Sequence, residues 1–133
     1  MRWYLNREEE PVLDATTPGS VEPEPTPVEE RIRHLVTTQP YGVLATHGDG
    51  HAYASLVAFS FSADLDRAFF ATPKATRKYR LLSEHDRIAL VVDDRPQHVG
   101  QMMSVEAVTV TGSAREVTSD PERLACGEQI VSR

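Results

Sequence analysis

A single cysteine, Cys126, stands in the 133 residues. It excludes an intrachain disulfide framework and suits a reducing compartment. Nowhere do apolar residues run for the roughly 20 positions needed to cross a bilayer, and the start Met1-Arg2-Trp3-Tyr4-Leu5 lacks the apolar segment of a signal peptide. The expectation is a cytoplasmic chain with no membrane partner. Positive charge is scarce too, with 14 Lys and Arg against 20 Asp and Glu and a net charge of −6. Without a basic stripe interleaved with aromatics, a nucleic-acid partner is excluded, although one phosphate held locally is not. His34, His47, His51, His85 and His98 show no metal-ligand spacing and read as surface residues, so no metal is expected. Asp93-Asp94 and Asp64-Leu65-Asp66 read as turn-formers rather than paired catalytic carboxylates, and Cys126 as packed rather than nucleophilic.

What is present, 40% hydrophobic and 26% charged residues, fits one ordinary domain able to bury a core of its own. Proline is unevenly spread. Pro11, Pro18, Pro23, Pro25 and Pro27 alternate with glutamates in residues 1–27, giving an extended acidic arm that neither propagates a helix nor joins the middle of a sheet. From residue 28 a different pattern begins. Val28, Ile32, Leu35 and Val36 fall on one face of a helix over 28–38 that Pro40 stops. Residues 41–47 read as a strand, Gly48-Asp49-Gly50 as a tight hairpin turn, and residues 52–61 as a long, largely apolar strand buried over much of both faces. A third strand over 68–71 follows the turn at 63–66, a fourth is read over 87–93, and a loop over 94–101. A fifth strand over 104–116 carries a bend or bulge at Gly112. Ser119-Asp120-Pro121-Glu122 starts a last helix, whose run to the final residue suggests that the natural chain continues past Arg133.

The stretch around which these elements are arranged is residues 67–82, where an apolar strand breaks at Thr72-Pro73 and a helix begins with Thr76-Arg77-Lys78. A helix start has unpaired N–H groups and a partial positive charge. A hydroxyl, a forked guanidinium and a mobile ammonium added there make a cradle suited to a phosphate monoester.

Five strands joined mainly by tight turns, with one short helix between the third and fourth, predict a mainly β fold: a small split antiparallel β-barrel with a few short helices. The succession Tyr41-Gly42-Val43-Leu44-Ala45-Thr46, Asp49-Gly50-His51-Ala52-Tyr53-Ala54-Ser55, Phe70-Ala71-Thr72-Pro73-Lys74-Ala75-Thr76-Arg77-Lys78 and Val108-Thr109-Val110-Thr111-Gly112-Ser113-Ala114-Arg115 resembles the FMN-binding split-barrel family of pyridoxamine 5′-phosphate oxidase and its relatives. The resemblance covers residues 28–133 and leaves the arm outside. It implies a homodimer with FMN in clefts between subunits, Thr76, Arg77 and Lys78 on the FMN phosphate, and Thr72 beside the ribityl phosphate. The strand Ser55, Leu56, Val57, Ala58 and Phe59 would then edge the isoalloxazine ring.

The family's oxidase proper has basic residues on its second strand, where residues 53–61 have none. It also has a flavin-reaching glutamine where Ala107 aligns, and an arginine-rich C-terminal motif with no counterpart here. The reading is therefore a general FMN-dependent flavoprotein relative, an oxidoreductase acting on a small-molecule substrate. The alternatives are a non-catalytic flavin carrier or sensor, or a haem- or deazaflavin-binding relative of the same barrel. Apolar surface left by the long second strand points to a homodimer.

Overall fold

The computed structural model describes residues 2–6 and 27–131. Its elements are β1 (Arg2–Asn6), α1 (Val28–Thr38), β2 (Tyr41–Gly48), β3 (His51–Phe61), β4 (Arg67–Ala71), α2 (Arg77–Glu84), β5 (Arg87–Asp93), β6 (Ala107–Glu116) and α3 (Asp120–Val131). Two short 3₁₀ turns, Arg95–Gln97 and Met102–Ser104, lie between β5 and β6. Every strand pair is antiparallel. Five strands form a curled sheet in the order β4-β3-β2-β5-β6, and β1 lies between the two outer strands and closes the barrel.

Local chemistry accounts for the element boundaries. Gln39, held extended by the following Pro40, ends α1 with φ −91° and ψ 125°. Between β2 and β3 the two loop residues Asp49 and Gly50 have φ 55° and 74°, the pair of positive values that matches a two-residue turn to the twist of its strands. At the β3–β4 turn the Asp64 carboxylate accepts from the Ser62 hydroxyl at 2.5 Å and from the Asp66 N–H at 3.2 Å. These bonds hold Asp64 below the usual carboxylate range.

Side chains that alternate along the strands fill the interior: Leu44 from β2, Val57 and Phe59 from β3, Ala68 and Phe70 from β4, and Leu90 and Val92 from β5. Leu35 and Val36 of α1 and Leu82 of α2 join them. Phe69 points the other way and makes a second cluster with Val117 and Cys126, so Cys126 is a packed side chain on the buried face of α3. Inside the barrel there is no room at Gly42: a Cβ there would lie 2.9 Å from the Val91 carbonyl oxygen and 3.0 Å from Leu90 Cδ1.

Three expectations change. Residues 2–6, read as part of an arm outside the barrel, form a strand between β4 and β6. They precede the first proline and so keep every backbone donor a ladder needs. The Pro-rich remainder of the arm, residues 7–26, lies outside the described residues. Gly112 carries no bulge, because β5 and β6 stay in one register from Arg87 opposite Ser113 to Asp93 opposite Ala107. Finally, over residues 54–58 β3 is covered on one face only: Ala54, Leu56 and Ala58 on its outer side are exposed, and both faces are buried only near Phe59 and Ser60.

The close approach at Gly42 generates a test. Gly42→Ala forces a methyl against a backbone oxygen that sits in the β2–β5 ladder and cannot move aside cheaply, so stability should fall by about 1–3 kcal/mol. Urea denaturation measures it, and an unchanged midpoint would contradict the packing described.

Candidate functional site

β4 stops pairing with β3 after three residues. Phe59, Ser60 and Phe61 oppose Phe70, Phe69 and Ala68, whereas β3 continues along β2 as far back as His51 opposite Gly48. Pro73 has no N–H to give to a ladder and turns the chain away. Among the described residues, the edge of β3 over residues 52–58 that faces away from β2 therefore has no strand beside it. Alternate N–H and C=O groups along it are open to another partner.

Into the gap projects the start of α2. Thr76 is its N-cap, accepting from the Tyr79 N–H at 3.3 Å. The Thr76 hydroxyl donates to the Pro73 carbonyl at 2.9 Å. It therefore accepts from the Thr72 hydroxyl, which lies 2.9 Å away and is buried. Thr72 and Thr76 are thus one unit that fixes how the chain leaves the sheet and enters the helix. Arg77 and Lys78 follow as the first two helical residues, where backbone N–H groups have no intrahelical acceptor.

Arg77 is exposed, and its guanidinium carbon stands 5.0 Å from the centre of the Tyr53 ring, within reach of a cation–π attraction. Among the described residues neither Arg77 nor Lys78 makes a salt bridge. Their neighbours differ. Arg80 binds Asp49 at 2.8 Å and Glu84 at 3.3 Å; the Arg80 hydrogen bond and charge hold Asp49 below its usual range, and the same pair raises Arg80. Glu116 is engaged by the Tyr79 hydroxyl at 3.2 Å and by Lys74 at 4.0 Å. The nearby acids are thus hydrogen-bonded by Arg80 and Tyr79, although Asp49 also feels the charge of Arg77.

Of the residues read from the sequence, Thr72, Thr76, Arg77 and Lys78 come together here. Ser55, Leu56, Val57, Ala58 and Phe59 all lie on β3 but divide by face. Val57 and Phe59 are core, whereas Leu56 is 62% exposed and Ala58 is exposed. The Ser55 Oγ is enclosed and has no hydrogen-bond partner among the described residues. Tyr53, the seat of Arg77, was missed; period-two alternation puts it on the same face as Ser55, but only the folded chain brings α2 against it. A cleft of about 300 Å³ opens beyond the exposed side of β3, lined by Leu56 with Pro40, Tyr41, Val43, Asp93 and Arg95 among others. His34, His47, His51 and His85 are exposed. His98 pairs with Asp94 at 3.1 Å, and His47 stacks on His85 with centroids 4.7 Å apart. Among the described residues no three His, Cys, Asp or Glu side chains gather as a metal site, and no helix is long and apolar enough to cross a membrane.

The Thr72–Thr76 unit supplies a second test. Thr76→Ala removes the cap and strands the buried Thr72 hydroxyl, which should cost about 0.5–2 kcal/mol. Thr76→Ser should restore most of it in thermal unfolding. Equal melting temperatures for wild type and Thr76→Ala would refute the role given to the cap.

The helix-start cradle beside a bare strand edge coincides with the likeness to known proteins. No curated protein matches the chain. Among solved structures, the crystal structure of Atu2129, a protein of unknown function from Agrobacterium tumefaciens strain C58, is similar with a TM-score of 0.64 at 22% identity, over 86% of this chain and 49% of that one. That likeness concerns the fold, and the chain spans about half the length of its neighbour. The family model of pyridoxamine 5′-phosphate oxidase matches residues 28–132, a range that takes in α1 to α3 with the cradle and the bare edge of β3, and the chain belongs to the pyridoxamine 5′-phosphate oxidase-like family.

Proposed function

We propose that the protein is an FMN-binding flavoprotein, and an oxidoreductase, that works as a homodimer. The observation that carries this reading is the pair Arg77 and Lys78 at the capped start of α2, beside a strand edge with open backbone groups. Family membership supports flavin binding in general. The residues present fit the cofactor at both ends. A phosphate dianion finds two cations and two helix N–H groups, and a polar ring edge finds the backbone donors and acceptors of residues 52–58.

In this reading Arg77 and Lys78 hold the phosphate, and Thr72 and Thr76 keep the helix start aimed at it. The bare edge of β3 orients the ring. Leu56 keeps water from one side, which strengthens every polar contact made there. A bound flavin supplies the hydride and electron transfer, so no acid, base or nucleophile is required of the chain. A small-molecule substrate enters by the cleft that Leu56 shares with Tyr41. The outer face of β2 and β3 is apolar, with Tyr41 57% and Leu56 62% exposed beside Val43, Ala45, Ala54 and Ala58. A second copy of the chain would cover it.

Purified protein should show a flavin absorption spectrum; a haem spectrum, or lack of affinity for FMN, would overturn the reading. Arg77→Ala removes a charge-assisted contact worth roughly 1.5–3 kcal/mol, or about 10- to 150-fold in FMN affinity. Riboflavin, which has no phosphate, should bind the variant and wild type alike. Equal loss of both ligands would make Arg77 a structural residue. Light scattering at micromolar concentration should give the mass of a dimer, and a monomer would refute the assembly.

A further inference from the structure

Helix starts favour acidic side chains, because an anion there offsets the exposed N–H groups. α2 does the opposite: its first turn holds Arg77 and Lys78 and no acid. The carboxylate that answers this charge comes from the β2–β3 turn, where Asp49 Oδ2 accepts from Arg80 Nη2 at 2.8 Å. Arg80 follows Arg77 by three residues, so the two guanidinium groups rise from neighbouring positions on one face of the helix. Arg77 in turn stands over Tyr53, on the strand that this turn opens, and Asp49, Arg77 and Arg80 gather at one end of the β2–β3 hairpin. The Arg80 hydrogen bond and charge keep Asp49 below its usual range, and the charges of Arg77 and His51 add to the effect.

Folding alone does not account for a carboxylate at this position. Asp49 has φ 55° and Gly50 φ 74°, and asparagine before glycine makes the same two-residue turn. The ion pair lies in solvent, with the Arg80 side chain 48% and the Asp49 side chain 55% exposed, where such pairs add little to stability. Arg80 also has a second carboxylate, Glu84, at 3.3 Å. What asparagine could not supply is a negative charge beside the helix start.

We propose that Asp49 is a specificity-determining residue of the anion site: it is the resident countercharge of the helix start, and an incoming phosphate competes with it for Arg77. The inference rests on the reading that Arg77 and Lys78 hold a phosphate. It adds the residue that sets how strongly the site prefers a phosphorylated ligand to the same ligand without its phosphate. Asp49 touches no ligand and acts through its charge on Arg77. The expected sign is opposite to that of a structural clip. Removing a clip loosens the cradle and weakens binding, whereas removing a competitor strengthens it.

Asp49→Asn in the full chain separates the two, because it keeps the turn and removes only the charge. Fluorescence titration at low salt should show FMN bound about 2- to 5-fold more tightly by the variant than by wild type. Riboflavin, which lacks the phosphate, should bind both proteins equally. In about 1 M salt, where the screening length shrinks to about 3 Å, the gain for FMN should vanish. FMN affinity unchanged or lowered in the variant makes Asp49 a structural clip and overturns the inference, with the phosphate reading left standing. An equal gain for riboflavin, or a gain that survives the high salt, traces to conformation rather than charge and also overturns it. Wild type that binds FMN no better than riboflavin sinks the phosphate reading and this inference together.

Discussion

Pro73 has no N–H to offer a β-ladder, and from that one lack the rest of the site follows. β4 stops pairing with β3 at Phe70 and ends at Ala71. The neighbouring Thr72 turns its hydroxyl onto Thr76, and the chain re-forms at once as α2. Had β4 run on along β3, backbone groups over residues 52–58 would be paired and the helix start would lie elsewhere. The break therefore creates two features together: a strand edge unpaired among the described residues, and a helix start whose Arg77 guanidinium carbon stands 5.0 Å from the centre of the Tyr53 ring. Neither alone would make a ligand site, since bare edges and helix ends are both common.

Everything else keeps that seam open without loss of the barrel. β1 closes the sheet on the far side of β4, between β4 and β6, so the gap beside β3 is not needed for closure. The interior is filled by aliphatic and aromatic side chains from alternate strand positions, and at Gly42 the absence of a side chain leaves room for Leu90 and the Val91 carbonyl. Charges around α2 are arranged so that attraction does not collapse onto the cradle. Asp49 goes to Arg80 and Glu116 to Tyr79 and Lys74, which fixes the helix in place while Arg77 and Lys78 stay at its exposed start. In the proposed reading, an anion there would meet two cations that make no salt bridge among the described residues.

Much of this was legible before folding because it rests on local chemistry. The Asp49-Gly50 turn, the stop at Pro40, the helix start at Thr76 and the turn at Asp64 each follow from what a residue does to its own backbone. The succession of motifs from Tyr41 to Arg115 carried the family resemblance for the same reason: spacing within a strand–turn–helix unit is written in order along the chain. Where expectation failed, the deciding partner was distant in sequence. β1 pairs with strands more than sixty residues away. Gly112 stays in register because Ile88 opposes it, and a glycine in a strand does not by itself say whether its partner strand is offset.

By itself the sequence determined the five strands β2 to β6, the turns between them and the cluster Thr76-Arg77-Lys78 at a helix start, because each is set by neighbours within a few residues; β1 was not among them. Only the tertiary structure decided which face of β3 is covered. An apolar run reads alike whether one side or both are buried, and the exposure of Leu56 depends on what the rest of the chain places over it. The same holds for Tyr53 beneath Arg77 and for the unpartnered hydroxyl of Ser55. Contact across a fold is a property of how elements meet, and burial without a partner can be seen only once every neighbour is in place.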